Sequence, residues 1–264
     1  MSTMENKVAV VTGGGTGIGQ AMCLQFANEG AHVVVVSNVA DQAEAVASQV
    51  RAVGGSAISL TVDITDVEAV EAMAATVIEK FGKVDVLVTS AGVMGARTFL
   101  SQTSVEEWRH TIEVNLNGTF YCIKAFLPHM LERDAGRIIT ISSISGKQPA
   151  ALNSDYAASK HGVIGLTKAL ALELGMLKKN GITANAICPG SVDTPMIEAI
   201  TDQFQPASKM SREDFRQKAI ASANIQKRLL DADEIASMAT YLASDQARGI
   251  TGQALNVCAG TVLF

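Results

Sequence analysis

The sequence predicts an α/β fold in which a doubly wound, seven-stranded parallel sheet carries helices on both faces. Two observations lead to this prediction: short apolar runs alternate with longer amphipathic segments, and the runs themselves are continuously hydrophobic. Strands have this character when helices cover both faces of a parallel sheet. The 264-residue chain contains no Pro/Gly/Ser-rich linker and no internal repeat, so we predict a single domain over residues 1–264.

The elements are assigned in chain order. The predicted strands are the seven apolar runs at residues 8–11, 33–36, 57–61, 84–88, 137–141, 182–187 and 255–257. The predicted helices are the segments between them, at about 17–29, 41–53, 66–81, 106–132, 155–178 and 231–243. Parallel strands need crossover connections of this length, which antiparallel hairpins do not.

The composition excludes several classes of protein. Hydrophobic residues make up 48% of the chain, which excludes general disorder. The chain has 21 basic and 26 acidic residues, which gives a net charge of −5. This charge argues against nucleic acid as a partner. The four cysteines form no CxxC pair and no histidine lies at ligand spacing from them. We therefore expect free, mostly buried thiols in a reducing compartment, with no metal site.

No segment predicts export or a membrane span. The N-terminus lacks a basic region followed by a long apolar stretch, as a signal peptide would have. The longest aliphatic runs are strand-sized, whereas a bilayer-spanning helix needs roughly 20 apolar residues. We expect a soluble, cytoplasmic protein without a membrane partner.

A glycine-rich turn follows the first predicted strand. It reads Thr12-Gly13-Gly14-Gly15-Thr16-Gly17-Ile18-Gly19, and a helical pattern begins at once. Glycine permits a tight turn and close approach of a ligand to the backbone. A helix N-terminus offers free N–H groups and a positive dipole end to a phosphate. This order is typical of a Rossmann-type dinucleotide site, and a turn without a ligand is the alternative.

Tyr156 and Lys160 are four residues apart on a strongly helical segment, so both side chains project from one face. The pKa of a free tyrosine is near 10, and a nearby ammonium lowers it by stabilising the phenolate. The pair could thus act as a general acid toward a ketone or as a base toward an alcohol. Two unrelated surface residues remain the alternative for this pattern taken alone.

Ser142 and Ser143 end the fifth predicted strand, shortly before Tyr156. A hydroxyl at this end of the sheet could hydrogen-bond a substrate oxygen as negative charge develops on it. The two serines should point in opposite directions if the strand alternation persists. The alternative is that both serines merely end the strand.

Residues 195–228 interrupt the alternation of strands and helices. They are too long for a plain connection, and apolar Met196, Ile197, Ile200 and Phe204 fit helical spacing. We predict a substrate lid above the carboxyl ends of the strands, where open α/β sheets bind ligands. Residues 209–228 hold six basic residues against two acidic ones. This excess of positive charge could bind an acidic carrier protein, although a solvent-exposed helix face explains it equally well.

Taken together, these motifs resemble those of the short-chain dehydrogenase/reductase family over almost the whole chain. Besides the glycine turn, the serines, and the Tyr156/Lys160 pair, the resemblance rests on four further motifs. They are Asp63-Ile64, Ser90-Ala91-Gly92, Asn115 in a Val-Asn-Leu-x-Gly pattern, and Pro189-Gly190-Ser191-Val192-Asp193-Thr194. One departure is that Thr89-Ser90 stands where the family usually has Asn-Asn, so the turn after the fourth strand could be held differently.

The resemblance implies an oxidoreductase that moves a hydride between a nicotinamide and a ketone or alcohol. The implied catalytic residues are Asn115, Ser143, Tyr156 and Lys160. In the family the matching Asn loosens its helix and holds a water connected to the lysine. The implied cofactor-binding residues are Gly13, Thr16, Gly17, Ile18, Gly19, Ser37, Asn38, Asp63, Ile64, Ser90, Ala91, Gly92, Tyr156, Lys160, Pro189, Gly190, Val192 and Thr194. A non-catalytic scaffold is an alternative that the intact Ser143, Tyr156 and Lys160 disfavour.

The end of the second strand bears on the choice of nicotinamide. NAD enzymes usually place a carboxylate there for the ribose 2′-hydroxyl, and this chain has Ser37 followed by Asn38. No carboxylate would repel a 2′-phosphate, and no arginine stands at 16 or 38 to attract one. NADP(H) is favoured, and NAD(H) stays possible.

Five local sequences resemble those of ketoreductases of aromatic polyketide synthesis, and most also resemble 3-oxoacyl-thioester reductases. They are residues 145–148, 159–163, 167–174, 187–190 and 253–258. The resemblance therefore suggests a polyketide or 3-oxoacyl thioester as substrate, with an acyl carrier protein as a partner. A dehydrogenase of a free alcohol, sugar or hydroxysteroid that uses NAD(H) is the alternative. The resemblance and the apolar C-terminal residues 259–264 predict a homotetramer.

Overall fold

The computed structural model of the chain describes residues 3–264, apart from the side chain of residue 219. These residues form a seven-stranded parallel sheet of order β3-β2-β1-β4-β5-β6-β7. The strands are β1 Val8–Thr12, β2 His32–Ser37, β3 Ser56–Thr61, β4 Val86–Thr89, β5 Gly136–Ile141, β6 Ile182–Pro189 and β7 Ala254–Val257. The predicted fold class is confirmed.

Helices connect the strands on both faces of the sheet. The α-helices are α1 Gly17–Asn28, α2 Ala40–Ala52, α3 Val67–Phe81, α4 Val105–Ile112, α5 Gly118–Arg133, α6 Ser154–Met176, α7 Pro195–Ser208, α8 Arg212–Phe215 and α9 Ala232–Ala243. Because the chain builds outward from β1 to β3 and then crosses to β4, the strand order reverses between β1 and β4. Open α/β sheets bind ligands at this switch point.

The central strands are buried on both faces, which explains their continuous apolar runs. Ala9 and Val11 of β1 pack into one core with residues of α1, α2 and α9. Their neighbours Val8 and Val10 pack into a second core with residues of α3, α5 and α6. Successive strand residues point to opposite faces, so the residues on both faces of these strands must be apolar.

The helix predicted at 106–132 is interrupted. Its middle, Glu113–Asn117, forms a π-helical turn between α4 and α5. π-Helical turns are rare in proteins overall, but a large share of them occur at functional sites. The hydrophobic periodicity of the sequence continues across the turn, so it gave no sign of the change in hydrogen bonding.

The segment at 195–228 is helical in several short pieces. After α7 and α8 come a π-helical turn at Arg216–Ile220 and a 3₁₀ turn at Ala221–Ala223. The helical spacing predicted for Met196 to Phe204 is confirmed by α7. Over residues 3–264, no helix has the length and apolar character that crossing a membrane requires.

Candidate active site

A cavity of about 680 Å³ lies at the carboxyl ends of the central strands. All eighteen residues predicted to bind the cofactor line it, as do Ser142 and Ser143. They come from distant parts of the chain, but in a parallel sheet all strands end at the same edge. Asn115, predicted as catalytic, is fully buried behind the cavity wall.

The glycine turn brings two segments of backbone into close contact. Gly13 has a φ of +66°, and a Cβ there would lie 2.7 Å from the backbone nitrogen of Ala91. No other residue fits this conformation and this approach. Thr16, the residue before α1, makes no side-chain cap to that helix. The first N–H groups of α1 therefore stay available to a phosphate.

Ser37, the last residue of β2, lines the cavity. It is 7% exposed, and its Oγ accepts a hydrogen bond from the Val39 N–H at 3.2 Å. Gln42, which sequence reasoning missed, also lines the cavity, and its Cβ lies close to Gly15. Among the described lining residues the only carboxylate is that of Asp63. Its Oδ1 accepts from the N–H and the hydroxyl of Thr65.

The turn after β4 is indeed held without the family's asparagines. The Ser90 N–H donates to the Thr12 carbonyl at 3.2 Å, which joins the ends of β1 and β4. Thr89 stands where the family has its first Asn, and its hydroxyl is buried without a hydrogen-bond partner. The backbone and the adjoining Asn115 therefore hold this turn, rather than the side chain of residue 89.

Asn115 connects this loop to α6. Its Oδ1 accepts from the Val93 N–H at 2.8 Å, and its Nδ2 donates to the Val93 carbonyl and to the Ser159 hydroxyl, both at 3.0 Å. The Thr119 hydroxyl donates to the Asn115 carbonyl at 2.9 Å. Asn115 thus fixes the loop and the helix that carries Tyr156 in one arrangement.

Tyr156 and Lys160 face the cavity from the first turns of α6. The Lys160 Nζ lies 5.6 Å from the centroid of the Tyr156 ring and donates to the Ile141 carbonyl at 2.9 Å. Burial lowers the pKa of Lys160 to about 8. Burying an ammonium without a carboxylate partner is energetically unfavourable. Holding Lys160 at the cavity therefore destabilises the folded state.

Tyr156 differs in one respect from the sequence-based expectation. Burial raises its pKa, while the Ser143 hydrogen bond and the positive charge of Arg97 lower it. The lowering was expected from Lys160. Ser143 and Arg97 contribute lowering of their own, and the Lys160 Nζ, 5.6 Å from the ring centroid, is close enough to stabilise a phenolate as well.

The two serines after β5 have different partners, as strand alternation predicts. The Ser142 hydroxyl donates to the Lys160 carbonyl at 2.9 Å and ties β5 to α6. The Ser143 Oγ accepts from the Ser145 N–H at 3.1 Å and is within hydrogen-bonding reach of Tyr156. Ser143 thus stands beside the phenol, where a substrate oxygen could contact both groups.

Sequence reasoning missed Asp155, the residue before Tyr156. It is 1% exposed and accepts from the Ala96 N–H, the Thr111 hydroxyl and the Tyr156 N–H at 2.8–2.9 Å. These contacts join α4, the loop after β4 and α6 around the cavity. An acidic residue beside the tyrosine was the available signal, but its partners are distant in sequence.

Four of the six basic residues in the predicted patch form ion pairs. Arg212 pairs with Glu198 and Asp202, and Arg216 pairs with Asp193 and Glu198. Lys218 pairs with Asp214, and Arg228 with Glu234. Counting charges within 209–228 missed these partners because most of them lie outside that window. Within residues 3–264, only Lys209 and Lys227 of the six form no salt bridge.

No cluster of three or more potential metal-ligating side chains occurs within residues 3–264. The four cysteines are free and buried, as predicted. Burial raises the pKa of the Cys122 thiol to about 12, so it is inert at neutral pH.

The chain is similar to known oxidoreductases over nearly its full length. The family model described as short chain dehydrogenase matches residues 7–205. A putative ketoacyl reductase of Streptomyces coelicolor is 38% identical, with 98% of each chain covered. A 3-oxoacyl-(acyl-carrier-protein) reductase of Staphylococcus epidermidis is 36% identical, with 97% of this chain and 98% of the relative covered.

A solved structure agrees with this placement. A crystal structure of a variant actinorhodin polyketide ketoreductase with NADPH superposes with a TM-score of 0.93 at 37% identity, and all of both chains is covered. The whole fold is therefore shared with that protein.

Proposed function

The chain belongs to the short-chain dehydrogenase family, and from this premise we propose that it is an NADP(H)-dependent carbonyl reductase of 3-oxoacyl or polyketide thioesters. Its class is an oxidoreductase that acts on a carbonyl or hydroxyl group. The observation that carries the proposal is the convergence of Ser143, Tyr156 and Lys160 on one cavity with the glycine turn.

The cavity residues suit a nicotinamide dinucleotide. The uncapped first turn of α1 can receive the pyrophosphate, and Gly13 lets the turn before it pack against the backbone of Ala91 at the switch point. When bound, the nicotinamide supplies the hydride, and the protein supplies orientation and the proton. The residues that would hold that ring line the same cavity: Tyr156, Lys160, Pro189, Gly190, Val192 and Thr194.

Tyr156 then donates its proton to the carbonyl oxygen of the substrate. The Ser143 hydroxyl hydrogen-bonds the same oxygen as negative charge develops, which stabilises the transition state. The Lys160 ammonium stabilises the phenolate that remains, and below about pH 8 it is charged. Asn115 acts as a positioning residue, since its contacts fix the loop after β4 against α6.

The substrate class rests on the relatives. Two of them are named for reduction of ketoacyl groups, and the structural neighbour is named a polyketide ketoreductase. We extend that class to this chain, including a carrier-bound form of the substrate. The ion pairs of Arg212 and Arg216 neutralise much of the positive charge that argued for an acidic carrier, so recognition of a carrier would depend mainly on other contacts. We place the protein in the cytoplasm.

NADP(H) as the preferred cofactor is tested by Ser37→Asp. The carboxylate would repel a 2′-phosphate and could accept hydrogen bonds from a 2′,3′-diol, and it could still accept from the Val39 N–H. We expect kcat/KM for NADPH relative to NADH to fall at least about tenfold, since like charges in contact cost several kcal/mol. Steady-state kinetics with both cofactors measure this ratio.

Ser37→Asn is the matched control, because it has the size of Asp without the charge. It should keep most of the preference of the wild-type protein for NADPH. A wild-type protein that already prefers NADH, or a ratio that Ser37→Asp leaves unchanged, would contradict the assignment.

We also propose a homotetramer. Leu263 and Phe264 are 79% and 75% exposed in the single chain, and a partner copy would cover them at a gain of free energy. Sedimentation velocity at micromolar concentration should give the mass of four chains. A single species with the mass of one chain would refute the tetramer.

A further inference from the structure

Arg97 places a half-buried positive charge without a partner near Tyr156. Its Nε is buried and donates no hydrogen bond. Within residues 3–264 its guanidinium forms no salt bridge. The guanidinium lies over the Phe204 ring of α7, with its Cζ 5.7 Å from the ring centroid. Buried charges are normally paired and hydrogen-bonded, so this one needs an explanation.

The fold holds Arg97 in this position at a cost. Arg97 has a φ of +50°, a left-handed conformation that disfavours residues other than glycine. The Ala96 N–H before it is fixed to Asp155 at 2.9 Å, and Gly95 passes so close to this carboxylate that a Cβ would lie 2.7 Å from it. Strained backbone of this kind clusters at functional sites.

Asp155 does not serve as the missing partner. Its two oxygens already accept from Ala96, Thr111 and Tyr156, and it attracts Arg97 only from beyond salt-bridge distance. Burial lowers the pKa of Arg97, but a guanidinium stays charged at neutral pH. The charge is therefore permanent and is left for a ligand to neutralise.

The surroundings of Arg97 belong to the substrate side of the cavity. Val93 and Met94 of the same loop line the cavity, as do Met196 and Ile197 of α7, the helix that contributes Phe204. The charge of Arg97 also acts on the Tyr156 phenol. Arg97 and Phe204 themselves are not among the lining residues, so a ketone whose oxygen meets Tyr156 would reach the guanidinium by extending past this lining, between the loop and α7.

We propose that Arg97 binds a carboxylate carried by the ketone substrate, so that the preferred substrates are oxo acids or thioesters with a second, ionised acid group. The guanidinium fork matches a carboxylate with two parallel hydrogen bonds, which ammonium groups cannot do. The inference rests on the proposed function, because it defines the substrate of the same cavity.

The binding test uses 3-oxoadipyl N-acetylcysteamine thioester and its methyl ester, which differ only in the terminal charge. Titration calorimetry with oxidised cofactor bound measures both dissociation constants without turnover. The wild-type protein should bind the free acid about 10- to 100-fold more tightly than the ester, the range of a charge-assisted hydrogen bond. Arg97→Met should remove most of this preference, and Arg97→Lys should restore part of it.

The kinetic test uses the same pair with reduced cofactor. The ratio of kcat/KM for acid over ester should fall in Arg97→Met mainly through KM, and taking the ratio cancels any general loss of activity. Arg248→Met is the control for net charge, since Arg248 precedes β7 at the opposite edge of the sheet, and it should keep the wild-type ratio.

Equal binding of acid and ester by the wild-type protein would overturn the inference. An equal loss for both substrates in Arg97→Met would overturn it as well, and would make Arg97 a residue that only tunes Tyr156. Selective binding of the acid without turnover would uphold the role of Arg97 while refuting the proposed function.

Discussion

Tyr156→Phe should reduce kcat for ketone reduction by about 100-fold or more, because a positioned general acid contributes 10²–10⁴-fold. The ring and its contacts remain, and only the proton donor beside Ser143 is lost. The dissociation constant for cofactor, measured by fluorescence titration, should stay within a factor of about three, because the change removes only the one hydroxyl. This combination separates loss of chemistry from loss of binding.

Tyr121→Phe is the matched control for this experiment. The Tyr121 hydroxyl donates to Glu113 at 2.9 Å and does not line the cavity, so its removal should leave kcat close to that of the wild-type protein. If Tyr156→Phe kept more than a small percentage of wild-type kcat, another group would have to be the acid.

Lys160→Met should make the protein more stable and much less active. Burial lowers the pKa of Lys160 from 10.5 to about 8, so at pH 7 the folded state carries a cost of about 3 kcal/mol for holding the ammonium. Methionine removes that cost, although it leaves the Ile141 carbonyl without its donor, which offsets about 1 kcal/mol. Loss of the ammonium should reduce kcat about 100-fold.

The pH dependence of stability separates the effect of the Lys160 charge from other effects of the substitution. The folded-state pKa is the lower one, so the folded protein binds fewer protons than the unfolded chain between about pH 8 and 10.5. The stability of the wild-type protein therefore gains from this group as pH rises through that window. In urea unfolding, the advantage of Lys160→Met should shrink by about 3 kcal/mol from pH 7 to above 10.5. An advantage that stayed constant with pH would show that Lys160 is not buried as a charge.

The features predictable from sequence are those set by local pattern. Continuous apolar runs such as residues 33–36 predict buried parallel strands, and glycines from Gly13 to Gly19 predict the turn, because both follow from backbone sterics and burial. Four-residue spacing alone puts Tyr156 and Lys160 on one face. Knowing that parallel strands end at one edge then predicts which segments meet at the cavity.

The features that could not be predicted depend on contacts between distant residues. The resemblance implies that Asn115 loosens its helix, but the partners of its side chain, the peptide of Val93 and the hydroxyl of Ser159, are distant in sequence and could not be predicted. Nothing in the local sequence distinguishes Arg97 from other loop residues, because its neighbours in the fold, Phe204 and Asp155, are distant in the chain. Likewise, the basic residues at 209–228 appear free until Glu198 and Asp193 are placed beside them.

The most direct test of the proposed activity is oxidation of NADPH on a panel of ketones, followed at 340 nm with the product identified by mass. The panel holds 3-oxoacyl thioesters, bicyclic and cyclic ketones, diketones and steroids, each measured with wild-type protein and Tyr156→Phe. We predict that a 3-oxoacyl thioester is reduced to its alcohol with the highest kcat/KM, faster with NADPH than with NADH, and that Tyr156→Phe abolishes the reaction. Failure of the wild-type protein to reduce any 3-oxoacyl thioester, or equal rates in the variant, would contradict the proposal.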